Sequence, residues 1–159
     1  MSPHRLTRRG FVSYAAVAGL VAGVPGAAAA SPLQIHVMKD PNCGCCGAWI
    51  EILQRDGFDV STETSFGTAL SQYKMDNGIP AKMASCHTAR IEGYMIEGHV
   101  PTADIRRLLR DRPDAVGLSV PGMPYGSPGM GPENQREAYD VHLIRRDGTT
   151  EVFTSYDAA

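Results

Sequence analysis

The sequence predicts an α/β domain: a central mixed β-sheet flanked by helices and ending in a β-hairpin. Three observations predict it. Leu33-Gln34-Ile35-His36-Val37-Met38 alternates apolar and polar side chains as a half-buried strand does. Trp49, Ile52 and Leu53 then recur at helical spacing, and Phe58 to Thr62 returns to strand, so the opening is a strand–helix–strand unit that pairs two parallel strands. Near the C-terminus, Val141-His142-Leu143-Ile144 and Glu151-Val152-Phe153 flank an Asp147-Gly148 turn, the signature of an antiparallel hairpin.

Each element follows from local chemistry. Asp40-Pro41-Asn42 breaks the first strand, a helix starts near Cys45, and Gly57 stops it from the C-cap position. Ala69, Leu70 and Tyr73 mark a short helix ending before Asn77-Gly78-Ile79-Pro80. Ala89 to Glu97 reads as strand, folded back at Glu92-Gly93. Thr102 is an expected N-cap for a helix that turns Ile105, Leu108 and Leu109 to the core; Arg106, Arg107, Arg110 and Arg112 crowd its C-terminal half as a solvated face that suits the dipole. Ala115 to Val120 is a further strand. The segment Pro121 to Pro132 holds four prolines and four glycines besides Met123 and Met130, so it is a shaped loop rather than helix or central strand. There is no internal repeat.

The chain has 159 residues, 43% of them hydrophobic and 20% charged, which excludes a disordered tail, a collagen-like fibre and a multi-domain machine. Residues 1–30 look like an address. Arg8-Arg9-Gly10-Phe11 precedes the apolar run Ala15 to Val24 and the small-residue exit Ala27 to Ala30, the pattern of a twin-arginine signal that is cleaved after export. The apolar run is shorter than the roughly 20 residues a bilayer span needs, so no membrane insertion is expected once the signal is removed. Two parts result: the signal, 1–30, and one domain, 31–159, placed in the periplasm. With Arg5, Arg8 and Arg9 set aside, 12 of the 15 basic residues remain against all 17 acidic ones. That balance argues against nucleic acid or acidic membrane surfaces as partners.

The chemistry lies in sulfur. Cys43-Gly44-Cys45-Cys46 places three thiols at a strand-to-helix turn, where unpaired amides and the positive end of the helix favour the thiolate, the form that attacks and that ligates metal. A disulfide staple is the plain alternative, and four cysteines allow three pairings. A staple gains nothing from three thiols within four positions. Cys86, in Ser85-Cys86-His87-Thr88-Ala89, is either a fourth sulfur ligand or a disulfide partner, and His87 either a ligand or a surface residue. His99 sits on the turn Gly98-His99-Val100-Pro101 ahead of a helix, a further ligand candidate. Met123 and Met130 offer thioethers in a loop with little core to bury them; Met38, Met75, Met83 and Met95 are assigned to core or surface, and His36 and His142 to structure. One C-x-x-C does not make a zinc ribbon, whereas clustered thiols with imidazole and thioether suit Cu(I). Copper is therefore the expected ligand. Two other readings stand beside it. Cys43 and Cys46 would serve a thiol–disulfide oxidoreductase, with Cys45 as an unwanted competitor in exchange. A structural zinc module leaves the methionine loop without a purpose.

These residues carry a resemblance. Lys39 to Trp49 with Cys-Gly-Cys-Cys, Ser85-Cys86-His87-Thr88-Ala89, Gly93 to Pro101 and Gly117 to Met130 occur in the order seen in the CopG-like family of periplasmic copper-resistance proteins, covering most of residues 33–153. The resemblance implies a thioredoxin-like fold with copper held near the cysteine loop, as a multinuclear cluster, and a role in copper tolerance that includes interconversion of Cu(I) and Cu(II). It makes Cys43, Cys45, Cys46 and Cys86 the leading metal ligands, with His99, Met123 and Met130 behind them. A binding protein is expected before an enzyme, with copper ions and other periplasmic copper-handling proteins as partners. Gly131-Pro132 departs from the family pattern, which has an acidic residue after Met130.

Overall fold

The computed structural model describes residues 31–159. The expected signal, residues 1–30, lies outside the described residues. Seven strands and three helices follow in the order β1 (Leu33–Lys39), α1 (Gly44–Arg55), β2 (Phe58–Thr64), α2 (Gly67–Asp76), β3 (His87–Ile91), β4 (Tyr94–Glu97), α3 (Thr102–Asp111), β5 (Gly117–Ser119), β6 (Tyr139–Ile144) and β7 (Thr150–Tyr156). They form one sheet in the order β2-β1-β3-β4-β5-β6-β7. β1–β2 and β4–β5 are parallel and the other pairs antiparallel. This is the mixed α/β architecture with a C-terminal hairpin that the sequence predicts. The opening of strand, cysteine loop, helix and strand is compatible with a thioredoxin-like arrangement.

Alternation along the strands decides which face each side chain takes. Tyr94 and Ile96 enter the main core with Ile35, Val37, Trp49, Leu53, Ile105, Leu108, Leu118 and Val141, whereas Met95 between them joins Ile79, Met83 and Ile144 in a smaller cluster. Burying a large aliphatic side chain of this kind contributes about 1.5–3 kcal/mol. The reversal between β3 and β4 takes only Glu92 and Gly93, both at positive φ (44° and 89°), as the twist of a two-residue hairpin demands.

Three local expectations are corrected. The buried stripe of α1 is Cys46, Trp49, Ile50 and Leu53, not Trp49, Ile52 and Leu53. The helix meets the sheet one position earlier in the i, i+3, i+4, i+7 cycle, so a cysteine becomes part of the core face. Thr102 is the first helical residue of α3 and Pro101 is its N-cap. The Thr102 hydroxyl donates instead to Asp56 Oδ2 at 2.5 Å, tying α3 to the end of α1. Of the arginines on α3, Arg106 and Arg107 lie over the rings of Phe58 and Phe153, so half of the expected solvated face covers apolar surface. No described helix is long and apolar enough to cross a membrane.

Candidate metal centre

Three chain segments converge at the N-terminal end of α1. Asp40 begins the first: its carbonyl accepts the Cys43 N–H and its carboxylate the Asn42 N–H, turning the chain from β1 into the helix. Cys43 is thus the N-cap, in extended conformation, with Cys45 and Cys46 in the first turn. Cys43 and Cys46 form a disulfide, while Cys45 and Cys86 are free thiols. The second segment is Ser85 to Thr88 at the start of β3. It brings Cys86 Sγ to 3.9 Å from Cys45 Sγ, which lies 3.4 Å from Cys43 Sγ. All four sulfur atoms fall within 4.8 Å of one another.

The third segment is the turn after β4, which delivers His99. Its Nδ1–H donates to the Pro128 carbonyl at 2.8 Å, and this fixes the tautomer: Nε2 carries the lone pair, 3.1 Å from Cys86 Sγ, whose S–H donates to it. His87 Nδ1 lies 3.3 Å from the same sulfur. Its ring packs against Trp49 at 4.3 Å between centroids and against His99 edge-on at 5.0 Å. Cys86, His87 and His99 make a second group of donor atoms within 4.8 Å of one another, joined to the first through Cys86.

Electrostatics prepare these donors differently. Burial, then the neighbouring His99 and Lys74, hold the His87 imidazole well below its usual value, and burial lowers His99. Both rings are therefore neutral at pH 7 and can ligate. Burial, with Cys45 close by, pushes the Cys86 thiol up to about 12, so it keeps its proton until something displaces it. The His87 Nε2 atom is buried with no hydrogen-bond partner among the described residues. Such an atom is costly to leave unpaired, and a buried imidazole beside the free Cys86 thiol is what a soft or borderline metal ion would use. The donor set fits copper.

The methionine loop closes this end of the fold. Gly126 N–H to Met130 O, Met130 N–H to Ser127 O and Ser127 N–H to Pro124 O tie it into a compact turn. Gly129 backs so closely on α1 that a Cβ there would lie 2.7 Å from Trp49 N and 3.1 Å from Cys45 O. Met130 follows directly and is half-buried, whereas Met123 is 54% exposed.

Of the residues singled out from sequence, the fold thus gathers Cys43, Cys45, Cys46, Cys86 and His99, seats Gly129, the neighbour of Met130, on the backbone of α1 and leaves Met123 exposed. His87 is not a surface residue: it is fully buried. Alternation from Cys86 to Ile91 carried that signal, since His87 shares parity with Ala89 and Ile91. A buried pair behind the site, Lys74 with Glu97, was not anticipated.

A family described as "Protein of unknown function, DUF411" matches residues 83–130, the span of Cys86, His99, Met123 and Met130. No curated protein matches the sequence. Two solved structures do. "Copper resistance protein copG- Form 1" is 46% identical, covers 80% of this chain and 99% of its own, and superposes with a TM-score of 0.75. "Copper resistance protein copG- Form 2" is 47% identical over 79% of this chain and 98% of its own, with a TM-score of 0.72. Identity at this level across nearly the whole of both structures places the chain in one family with them: it belongs to the CopG-like copper-resistance proteins.

Proposed function

We propose that this chain binds Cu(I) in the periplasm through Cys45, Cys86 and His99, with His87 beside them, and that reduction of the Cys43–Cys46 disulfide adds two more sulfurs to the site. Met130, and Met123 if its loop swings inward, supply thioethers at the margin. The observation that carries the reading is the meeting of four sulfur atoms and two neutral imidazoles from three distant segments. Thiolate, imidazole and thioether are the soft-to-borderline donors that Cu(I) prefers. Interconversion of Cu(I) and Cu(II) fits the same site, because one disulfide exchanges two electrons and each copper ion one. Residues 1–30 serve as the twin-arginine signal, residues 31–159 form the exported domain, and copper passes to or from other periplasmic copper-handling proteins.

The Cys43–Cys46 disulfide at a helix N-terminus favours a second reading, a thiol–disulfide oxidoreductase with Cys43 attacking and Cys46 resolving. Cys45, at 3.4 Å from Cys43, is a competing thiol in that chemistry and an asset in metal binding.

One experiment separates them. Purified protein is titrated anaerobically with Cu(I) before and after disulfide reduction, and again as Cys45→Ser. The copper reading expects more copper bound after reduction and a loss of affinity in Cys45→Ser. If Cys45→Ser binds copper as the parent does, while Cys43→Ser abolishes reduction of a disulfide substrate, the oxidoreductase reading replaces it.

A further inference from the structure

Behind the cysteine pocket lies a buried polar cluster that copper ligation leaves unused. Lys74 in α2 and Glu97 at the end of β4 are both buried, the carboxylate completely. Lys74 Nζ donates to Glu97 Oε1 and to Thr88 Oγ1, each at 2.5 Å. The Thr88 hydroxyl donates to Glu97 Oε2 at 2.5 Å, and the Ser85 N–H donates to Glu97 Oε1 at 2.6 Å. Every bond the carboxylate makes is therefore to Lys74 or to the chain on either side of Cys86-His87. A buried ion pair gains little stability over a well-packed apolar pair, and the geometry of this one shows a different use.

Thr88 stands directly opposite Glu97 in the β3–β4 ladder, so the two share one face of the sheet. Glu97 has the parity of Met95 and thus lies on the side of the smaller cluster, whereas His87 has the parity of Ala89 and lies on the side of Trp49. One carboxylate grips the backbone before Cys86 and the side chain after His87 from the reverse face. The Ser85 hydroxyl continues the chain of contacts by donating to the Gly122 carbonyl at the start of the methionine loop.

We propose that Glu97, neutralised by Lys74, is a positioning residue: it clamps Ser85 to Thr88 so that Cys86 Sγ stays against His99 Nε2 and Cys45 Sγ. Its use for copper rests on the reading of Cys86 as a ligand, whereas the clamping itself does not. Without the clamp the start of β3 keeps its ladder bonds but loses the two hooks that set the direction of the thiol.

The test uses the full chain and two paired variants. Lys74→Met with Glu97→Leu removes the charges and the hooks together, which avoids stranding a buried charge. Lys74→Met with Glu97→Gln removes the charges but keeps an oxygen for the Ser85 N–H and an amide for Thr88. In metal-free protein, iodoacetamide alkylation of Cys86 is followed by peptide mass, with Cys45 as internal reference. The Leu pair is expected to raise the Cys86 rate about tenfold over Cys45, and the Gln pair to return it towards the parent. Cu(I) affinity, read by competition with a chromogenic chelator, is expected to fall about tenfold in the Leu pair and no further when Cys86→Ser is already present, as for an outer partner acting through one ligand. Should the Leu pair fail to fold, Thr88→Val removes the hydroxyl bridge at constant volume, with a severalfold rise expected. An unchanged Cys86 rate in a folded variant, or an equal rise at Cys45, overturns the proposal. Altered alkylation together with a Cys86→Ser protein that binds copper normally supports the clamp and removes Cys86 from the copper site.

Discussion

Replacing Gly129 by alanine tests whether the methionine loop holds the site together. Gly129 has φ +85° and Gly122, in the same loop, φ +70°. Alanine at either position meets the penalty of left-handed backbone, roughly 1–2 kcal/mol. Only at Gly129 does the new Cβ also collide, 2.7 Å from Trp49 N and 3.1 Å from Cys45 O, whereas at Gly122 nothing lies within 4 Å. The atoms struck at Gly129 are helix backbone held by the buried Trp49, so the loop is the part that must move. Lifting it withdraws the Pro128 carbonyl from His99 Nδ1 and leaves a buried N–H without a partner, a further cost of about 1–3 kcal/mol. Gly129→Ala is therefore expected to lose about 2–5 kcal/mol in urea denaturation and Gly122→Ala only about 1–2 kcal/mol. Cu(I) affinity, measured by chelator competition, should drop about 10- to 100-fold in Gly129→Ala, the usual result of losing the hydrogen-bond acceptor that orients a ligating imidazole, and hold in Gly122→Ala. Equal losses in the two variants would refute the reasoning, because the seating of the loop on α1 would then be irrelevant to His99.

Two further outcomes follow from the same geometry. The Cys86 thiol, pushed up to about 12 chiefly by burial, must release its proton when copper arrives, while His87 and His99 are held neutral by burial and release none at pH 7 and above. The apparent Cu(I) affinity should weaken about tenfold for each pH unit of acidification per displaced proton, and Cys86→Ser should reduce that slope by one; an unaltered slope in a series of buffered titrations would show that copper leaves this proton in place. Trp49 is the sole tryptophan and packs at 4.3 Å from His87, so its emission reports on the pocket. Cu(I) addition should quench it in step with occupancy, and saturation without quenching would place the metal elsewhere.

Much of the fold was legible because its determinants are local. Period-two alternation marked β1 within one residue of its end, Gly57 marked the stop of α1 although it lies one position past the C-cap, which is Asp56, and Glu92-Gly93 and Asp147-Gly148 marked their reversals. Two misread details, the stripe of α1 and the cap of α3, depend on partners the local sequence does not contain. Ile52 is apolar and correctly spaced, but the angle at which α1 docks selects Cys46 and Ile50 instead. Thr102 is a good cap by type, yet Asp56, 46 positions away, takes its hydroxyl.

By itself the sequence determined that this is an α/β chain with a thiol-rich turn at a helix start, because hydrophobic period, turn chemistry and the reactivity of sulfur are properties of short stretches. Only the tertiary structure decided that Cys43 is bonded to Cys46, that Cys86 crosses 41 positions to reach Cys45, that His99 aims its lone pair at that thiol, and that Lys74 and Glu97 meet behind it. Those contacts join residues far apart in sequence. They exist because burying the apolar faces of β1, β3, β4 and α1 in one core brings the ends of those elements to the same place.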